Sequence, residues 1–177
     1  MEAANASAAI ANDPTARQRV KPVTEMRPKN LYPVAELATT SDLSKKLAFI
    51  TEANEAAKAY SPKIVRVNAS FSDEVKHLAY VNSDGVSWTD TQPVFVFGTS
   101  CIAEEGKRRE TGYDSGGGRI GLEYFAKKRQ AADIAKEAAR MAILNLKAED
   151  AEAGPQTVVL GAGDSAVLLH EAVGHGL

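Results

Sequence analysis

Pro93-Val94-Phe95-Val96-Phe97-Gly98-Thr99-Ser100-Cys101-Ile102-Ala103 is the longest strand candidate in the chain, and its reading decides the fold class. Val94, Phe95, Val96, Phe97 and Ile102 are the β-branched and aromatic types that suit a pleated, half-buried surface. With a period of two, Cys101 falls on the same face as Phe95 and Phe97, which predicts a buried, inert thiol. Downstream, Glu104-Glu105-Gly106 turns into a partner strand from Lys107 to Tyr113. Upstream, Ser83-Asp84-Gly85 joins a strand over 75–81 to Val86-Ser87-Trp88, and Ile64, Val65 and Val67 begin another that runs to about Phe71. Short strands in succession, joined by turns, predict an antiparallel meander. Lys107, Arg108 and Arg109 stand beside Glu104, Glu105 and Glu110, a mixture that suits a solvated hairpin better than a phosphate site. His77 reads as a surface or interstrand residue.

Helical periods flank the meander. Leu43, Leu47, Ile50 and Ala57 predict a helix from near Asp42 to Tyr60, capped by Ser41 or Thr40 and stopped by Ser61-Pro62. Asp114 to Gly121 reads as a loop, and 119–125 as a further strand or the start of a helix. The strongest helix spans about Lys128 to Lys147, with Ala135, Ala138, Ala139, Ala142 and Leu146 inward and Lys136, Glu137 and Arg140 outward. Gly154-Pro155 ends that unit. Gln156 to Leu160 reads as a short apolar strand, and Asp164 or Ser165 caps a final helix. The fold class is α+β: an antiparallel meander packed by two or three helices, with a C-terminal strand-to-helix unit. Three regions result: a poorly packed lead over 1–40, with a short helix around 2–11; an α+β body over 41–154; and the start of a further region over 155–177.

Composition narrows the function. A net charge of -2 suggests neither a nucleic-acid contact nor an anionic-membrane surface. There is no apolar run long enough for a membrane span, and Met1-Glu2-Ala3-Ala4-Asn5 is a poor signal peptide. A single cysteine precludes an internal disulfide and fits a reducing, cytoplasmic setting.

The chemistry concentrates in His170-Glu171-Ala172-Val173-Gly174-His175. Imidazoles are good zinc ligands, and a carboxylate beside them can take a proton from the attacking water. Zinc-protease helices usually space their histidines four apart. Five apart, on a regular α-helix, turns the second about 140° from the first. One ion reaches both if the helix widens into a π-bulge or ends at the second histidine, and Gly174 and Gly176 make either distortion easier. Glu171, about 100° from His170, suits a general base better than a ligand. Two histidines alone hold a metal weakly, so a third ligand is required. Gly116-Gly117-Gly118-Arg119-Ile120-Gly121 fits G-x-G-x-x-G, but it follows a hairpin rather than opening a βαβ unit, which argues against a dinucleotide site. The stretch reads either as a connecting loop or as a glycine surface lining a substrate cleft, with Arg119 placed to meet a carboxylate.

HEAVGHGL, preceded by Val158-Val159-Leu160-Gly161-Ala162-Gly163, resembles the metal-binding segment of the TldD/PmbA metallopeptidase family. Glu105-Gly106-Lys107-Arg108-Arg109-Glu110, then Ser115-Gly116-Gly117-Gly118-Arg119, and Lys136-Glu137-Ala138-Ala139-Arg140-Met141-Ala142 are similar to further segments in the same order. The resemblance covers roughly residues 42–177. It implies a zinc peptidase acting on unfolded or short polypeptides, with His170 and His175 as metal ligands and Glu171 as general base; for Gly116, Gly117, Gly118 and Arg119 the loop and substrate-cleft readings both stand. It also implies a dimer, of a TldD-like catalytic subunit with a PmbA-like one or of two like subunits. The third ligand in the family is a cysteine from a region that would lie beyond residue 177, which implies an N-terminal fragment, inactive alone. A non-catalytic subunit is the competing expectation, since the family has been tied to modulation of DNA gyrase. Asp164-Ser165-Ala166 departs from the Trp-Pro-Gly-like entry to the metal helix.

Overall fold

A computed structural model describes residues 24–26, 30, 32–163 and 165–176. The expected helix around 2–11 lies outside them. Three long antiparallel strands dominate: β2 (Ile64–Val81), β3 (Val86–Glu105) and β4 (Arg108–Gly118). β3 is central. β2 pairs with it along one edge, from Val81↔Ser87 to Ile64↔Ala103. β4 takes the other edge, from Glu105↔Arg108 to Phe95↔Gly118. On that same edge a two-residue strand, β1 (Thr24–Glu25), runs parallel to Val86 and Ser87. The α+β meander is therefore the observed architecture, but with fewer and longer strands than expected.

One reason is Asp73. The expected break between 71 and 75 is absent because Asp73, facing the helical layer, has a partner there. Lys46 donates to both its carboxylate oxygens at 3.1 Å and lies 5.7 Å above the Phe71 ring. A polar residue on the covered face is tolerated once its charge is paired. Past β4, the two long strands continue as an arm with Tyr80 stacked on Trp88 at 5.3 Å. Its turn is held by Asn82, whose side-chain oxygen accepts from Asp84 and Val86 amides, and by Gly85 at φ 81. The Thr24 and Met26 amides donate to the Gly85 and Ser87 carbonyls at 2.6 and 2.7 Å. Part of the proline-rich lead thus joins the sheet. Ala38–Thr40 adds a 3₁₀ turn with Ala38 buried.

Helices cover one sheet face. α1 (Leu43–Tyr60) and α3 (Ala131–Asn145) pack on each other and on the strands; a four-residue α2 (Tyr124–Lys127) lies between them in sequence. The cap of α1 is Asp42, which accepts from the Ser44 amide at 2.9 Å. Ser41, expected there, instead donates to the Leu37 carbonyl and to Glu36. The buried residues of α1 are Ala53 and Ala57, whereas Leu43 and Leu47 are exposed. The apolar face of this helix therefore sits further along than its leucines suggest. α3 buries the predicted alanine stripe together with Ala131 and Ile134. The core joins these alanines to Phe95, Phe97, Cys101 and Ala103 of β3 and to Phe125, whose ring stacks on Phe49 at 4.0 Å.

Two further expectations are corrected, and for 119–125 the helix-start alternative is the one observed. The stretch 114–118 is the end of β4 rather than a loop. Gly116 sits beneath the Tyr124 hydroxyl, and a Cβ on Gly117 would overlap the Phe95 carbonyl. The glycines let the strand finish under its neighbours. Residues 119–125 form a turn entering α2, where the Tyr124 amide donates to the Gly121 carbonyl at 3.0 Å. Residues 156–160 are irregular and exposed, with Val159 at 91%. Among the described residues this apolar segment has no neighbouring strand, and a strand needs one to satisfy its backbone.

Candidate metal centre

The last helix, α4 (Ser165–Leu169), is α-helical for five residues and then widens into a π-helical turn over His170–Gly174. Asp164 lies outside the described residues, and the Ser165 hydroxyl reaches back to the Gly161 carbonyl. The widening is one of the two departures under which a single ion could reach histidines five residues apart. The His175 amide donates to the His170 carbonyl, five residues back, at 3.1 Å. Neither Gly174 nor Gly176 takes a left-handed conformation. A Cβ on Gly174 would stand 3.5 Å from His170 Nδ1, an ordinary contact, so neither conformation nor crowding requires glycine at these two positions.

The two imidazole rings lie 4.6 Å apart between centroids, inclined at 73°. Glu171 is drawn in with them. Its Oε2 is 3.7 Å from His175 Nε2, and ligand atoms of all three residues lie within 4.8 Å of one another. The sequence reading placed Glu171 only by its offset of about 100° from His170. Relative to His175 it stands four residues earlier, which places the two on one face. All three side chains are exposed. Two imidazoles and a carboxylate are donors that zinc accepts. Ligand atoms about one zinc stand roughly 3.3 Å apart, given bond lengths of about 2.0–2.2 Å. Rotation of exposed rings covers that difference, so these residues fit the ion.

The other candidates lie elsewhere. Cys101 is fully buried, with Sγ 4.0 Å from the Ala135 carbonyl oxygen, and burial pushes its thiol up to about 11. A thiol so placed is a poor ligand and nucleophile. His77 sits on β2 with Nδ1 3.3 Å from Thr91 Oγ1, its cross-strand neighbour. In the basic cluster, Arg109 pairs with Glu104 at 3.1 Å and Arg108 with Glu110 at 3.4 Å, in solvent. Gly117, Gly118 and Arg119 line a cavity of about 390 Å³ with Tyr32, Tyr124 and Lys128. Gly116 is packed behind them, under Tyr124. The sequence reading missed Tyr32, Tyr124 and Lys128, because only the tertiary fold brings these segments together.

Residues 37–146 match the profile of the PmbA/TldA metallopeptidase central domain. The chain belongs to the TldD/PmbA metallopeptidase family. It is 38% identical over 154 residues to the metalloprotease TldD homologue of Haemophilus influenzae, covering 82% of this chain and 32% of that protein. To the corresponding homologue of Buchnera aphidicola from Schizaphis graminum it is 34% identical over 165 residues, covering 90% of this chain and 34% of the relative. It therefore spans about a third of the length of these relatives. The fold is also similar to the crystal structure of a Thermotoga maritima protein described as a proposed modulator of a DNA gyrase. The TM-score is 0.62 at 17% identity, over 84% of this chain and 33% of that one. Relatives named as metalloproteases imply a metal ion in the family. No helix among the described residues is long and apolar enough to cross a membrane.

Proposed function

We propose that this chain is the part of a zinc-dependent peptidase, longer than these 177 residues, that carries its metal-binding helix, and that the whole enzyme hydrolyses peptide bonds in unfolded or short polypeptides. The observation behind this reading is the π turn that brings His170 and His175 to 4.6 Å between ring centroids. Those two residues would hold the ion, and the set would be completed by a cysteine from the region of the relatives that this chain does not span. When bound, zinc supplies Lewis acidity toward the scissile carbonyl. Glu171 takes the proton of the attacking water and passes it to the leaving amine. Gly117, Gly118 and Arg119 would lie toward substrate, with Gly116 setting the strand beneath them.

The same reading divides the chain into a lead over 1–40, an α+β region over 41–154, and the beginning of the catalytic region over 155–177. It places the enzyme in the cytoplasm, paired with a PmbA-like subunit or with a like copy. A purely regulatory role, as the description of the Thermotoga protein suggests, is favoured by no residue here, since the His-Glu-His cluster is intact. Zinc content of the longer protein tests the ligands: His170→Ala should lower it to background, and equal zinc in variant and parent would remove the assignment. Glu171→Gln should retain zinc and lose peptidase activity; an active Glu171→Gln enzyme would leave the base unidentified.

A further inference from the structure

Among the described residues that line the cavity at the end of β4 there are two cations, Arg119 and Lys128, and no carboxylate. Lys128 has no ion pair among the described residues, and the acid nearest in sequence to the glycines, Asp114, is taken by Arg129. The guanidinium of Arg119 is held in place without being discharged. It lies 5.5 Å over the Tyr32 ring, and its Nη2 donates at 2.8 Å to the side-chain oxygen of Gln92, a neutral amide. Gln92 is fixed in turn by its own donation to Asp90 at 2.8 Å. An arginine oriented by an aromatic face and a neutral acceptor keeps donors free in a fork that matches a carboxylate. Much of the entropy of ordering its long side chain is already spent.

The rest of the cavity suits an apolar group attached to that carboxylate. Tyr32, Tyr124 and Ile120 form its walls, and Gly117 and Gly118 its backbone floor. Gly118, at φ 132, has open space where a Cβ would stand, so its lack of a side chain leaves the entrance clear. The site is shallow and open to solvent, and its volume of about 390 Å³ is enough to seat one side chain against these apolar groups.

We propose that this cavity is a subsite for the C-terminal residue of a peptide, its carboxylate on Arg119 and Lys128 and its apolar side chain between Tyr32 and Tyr124. This inference rests on the peptide-substrate reading and narrows it to peptides with a free C-terminus. The test is fluorescence anisotropy with the full chain and a dye-labelled alanine tripeptide extended by phenylalanine, prepared as free acid and as C-terminal amide. EDTA is present, so the result is independent of whether His170 and His175 bind zinc. The acid should bind about tenfold tighter than the amide or better, the scale of charge-assisted hydrogen bonds. Arg119→Gln and Lys128→Gln should each reduce that preference, the double variant should abolish it, and Arg119→Lys should fall between. Both side chains are exposed, so circular dichroism should show unchanged folds. Equal binding of acid and amide by the parent, or a preference undiminished in the double variant, overturns the proposal. Inorganic phosphate displacing the peptide more readily than acetyl-phenylalanine does would also overturn it, in favour of a phosphate site. The peptidase reading fails separately, if the longer enzyme hydrolyses neither acid nor amide.

Discussion

Gly112→Ala should be among the most damaging single-methyl changes in this chain. Gly112 lies on β4 where α3 crosses the sheet. A Cβ there would overlap the Ala138 carbonyl oxygen and the Ala142 amide nitrogen, and would stand 2.9 Å from the carbonyl carbon of Met141. All three are backbone atoms of one helix, so no rotamer change relieves the clash. Carbon atoms pack best at about 3.5–4.0 Å, so the helix must retreat by about 1 Å. Six residues of α3 are buried, five alanines and Ile134, and the retreat opens a gap along all of them. Overpacking costs about 1–3 kcal/mol, and a gap of 0.5–1 Å forfeits about a quarter to a half of each affected dispersion contact. We expect a loss of about 3 kcal/mol, or roughly 6–12 °C in melting temperature for a chain of this length. Urea denaturation followed by far-ultraviolet circular dichroism measures it. Gly106→Ala is the control: a Cβ there meets open space, but φ is 62, so the loss should be only about 1 kcal/mol. If Gly112→Ala costs no more than Gly106→Ala, the helix is not seated on the sheet as described.

Thr99→Val should stabilise the chain by about 1 kcal/mol. The Thr99 hydroxyl is fully buried without a hydrogen-bond partner among the described residues, and valine fills the same shape without it. A destabilised variant would show that the hydroxyl is satisfied, for instance by a buried water. Cys101 predicts a stability that declines in alkali. Its thiol ordinarily ionises near 9.0, and burial raises that to about 11 in the folded chain. Between those values the unfolded chain gives up the proton and the folded chain keeps it, so stability is full below pH 9 and falls by at most about 1.4 kcal/mol per unit up to 11. Denaturation midpoints across that range should show the fall, and Cys101→Ala should remove this component; an identical decline in the variant would assign it to other groups.

The sheet was legible in its pattern but not in its lengths. Alternation marked 93–103 as a buried strand, and Cys101 lies in the core as its phase requires. Alternation could not show that Asp73 would find Lys46 beneath it, so β2 reads as two strands in sequence and forms one in space. The glycines at 116–118 were misread for a related reason. Glycine signals freedom in a sequence, but at Gly116 and Gly117 it answers crowding from Tyr124 and the Phe95 carbonyl. Only the fold supplies the atoms that crowd. The same holds for the cavity, where Arg119 was legible as a charge beside glycines, while Tyr32 comes from a distant segment and Lys128 is brought back by the short helix that separates it from Arg119.

The histidine pair is the opposite case. An interval of five is incompatible with a shared face on an ideal helix, so one ion can reach both rings only through a local departure. The structure makes that departure with one widened turn, closed by the hydrogen bond from the His175 amide to the His170 carbonyl. What spacing left open was the carboxylate. Glu171 was referred to the histidine beside it, whereas its geometry is set by the one four residues on. The two relations pull the side chain toward different roles, since a carboxylate among the ligand atoms competes for the ion and one turned aside accepts a proton. Zinc retention in Glu171→Gln therefore discriminates more sharply than loss of activity. A base leaves zinc content unchanged when neutralised, whereas a ligand lowers it, and both remove hydrolysis.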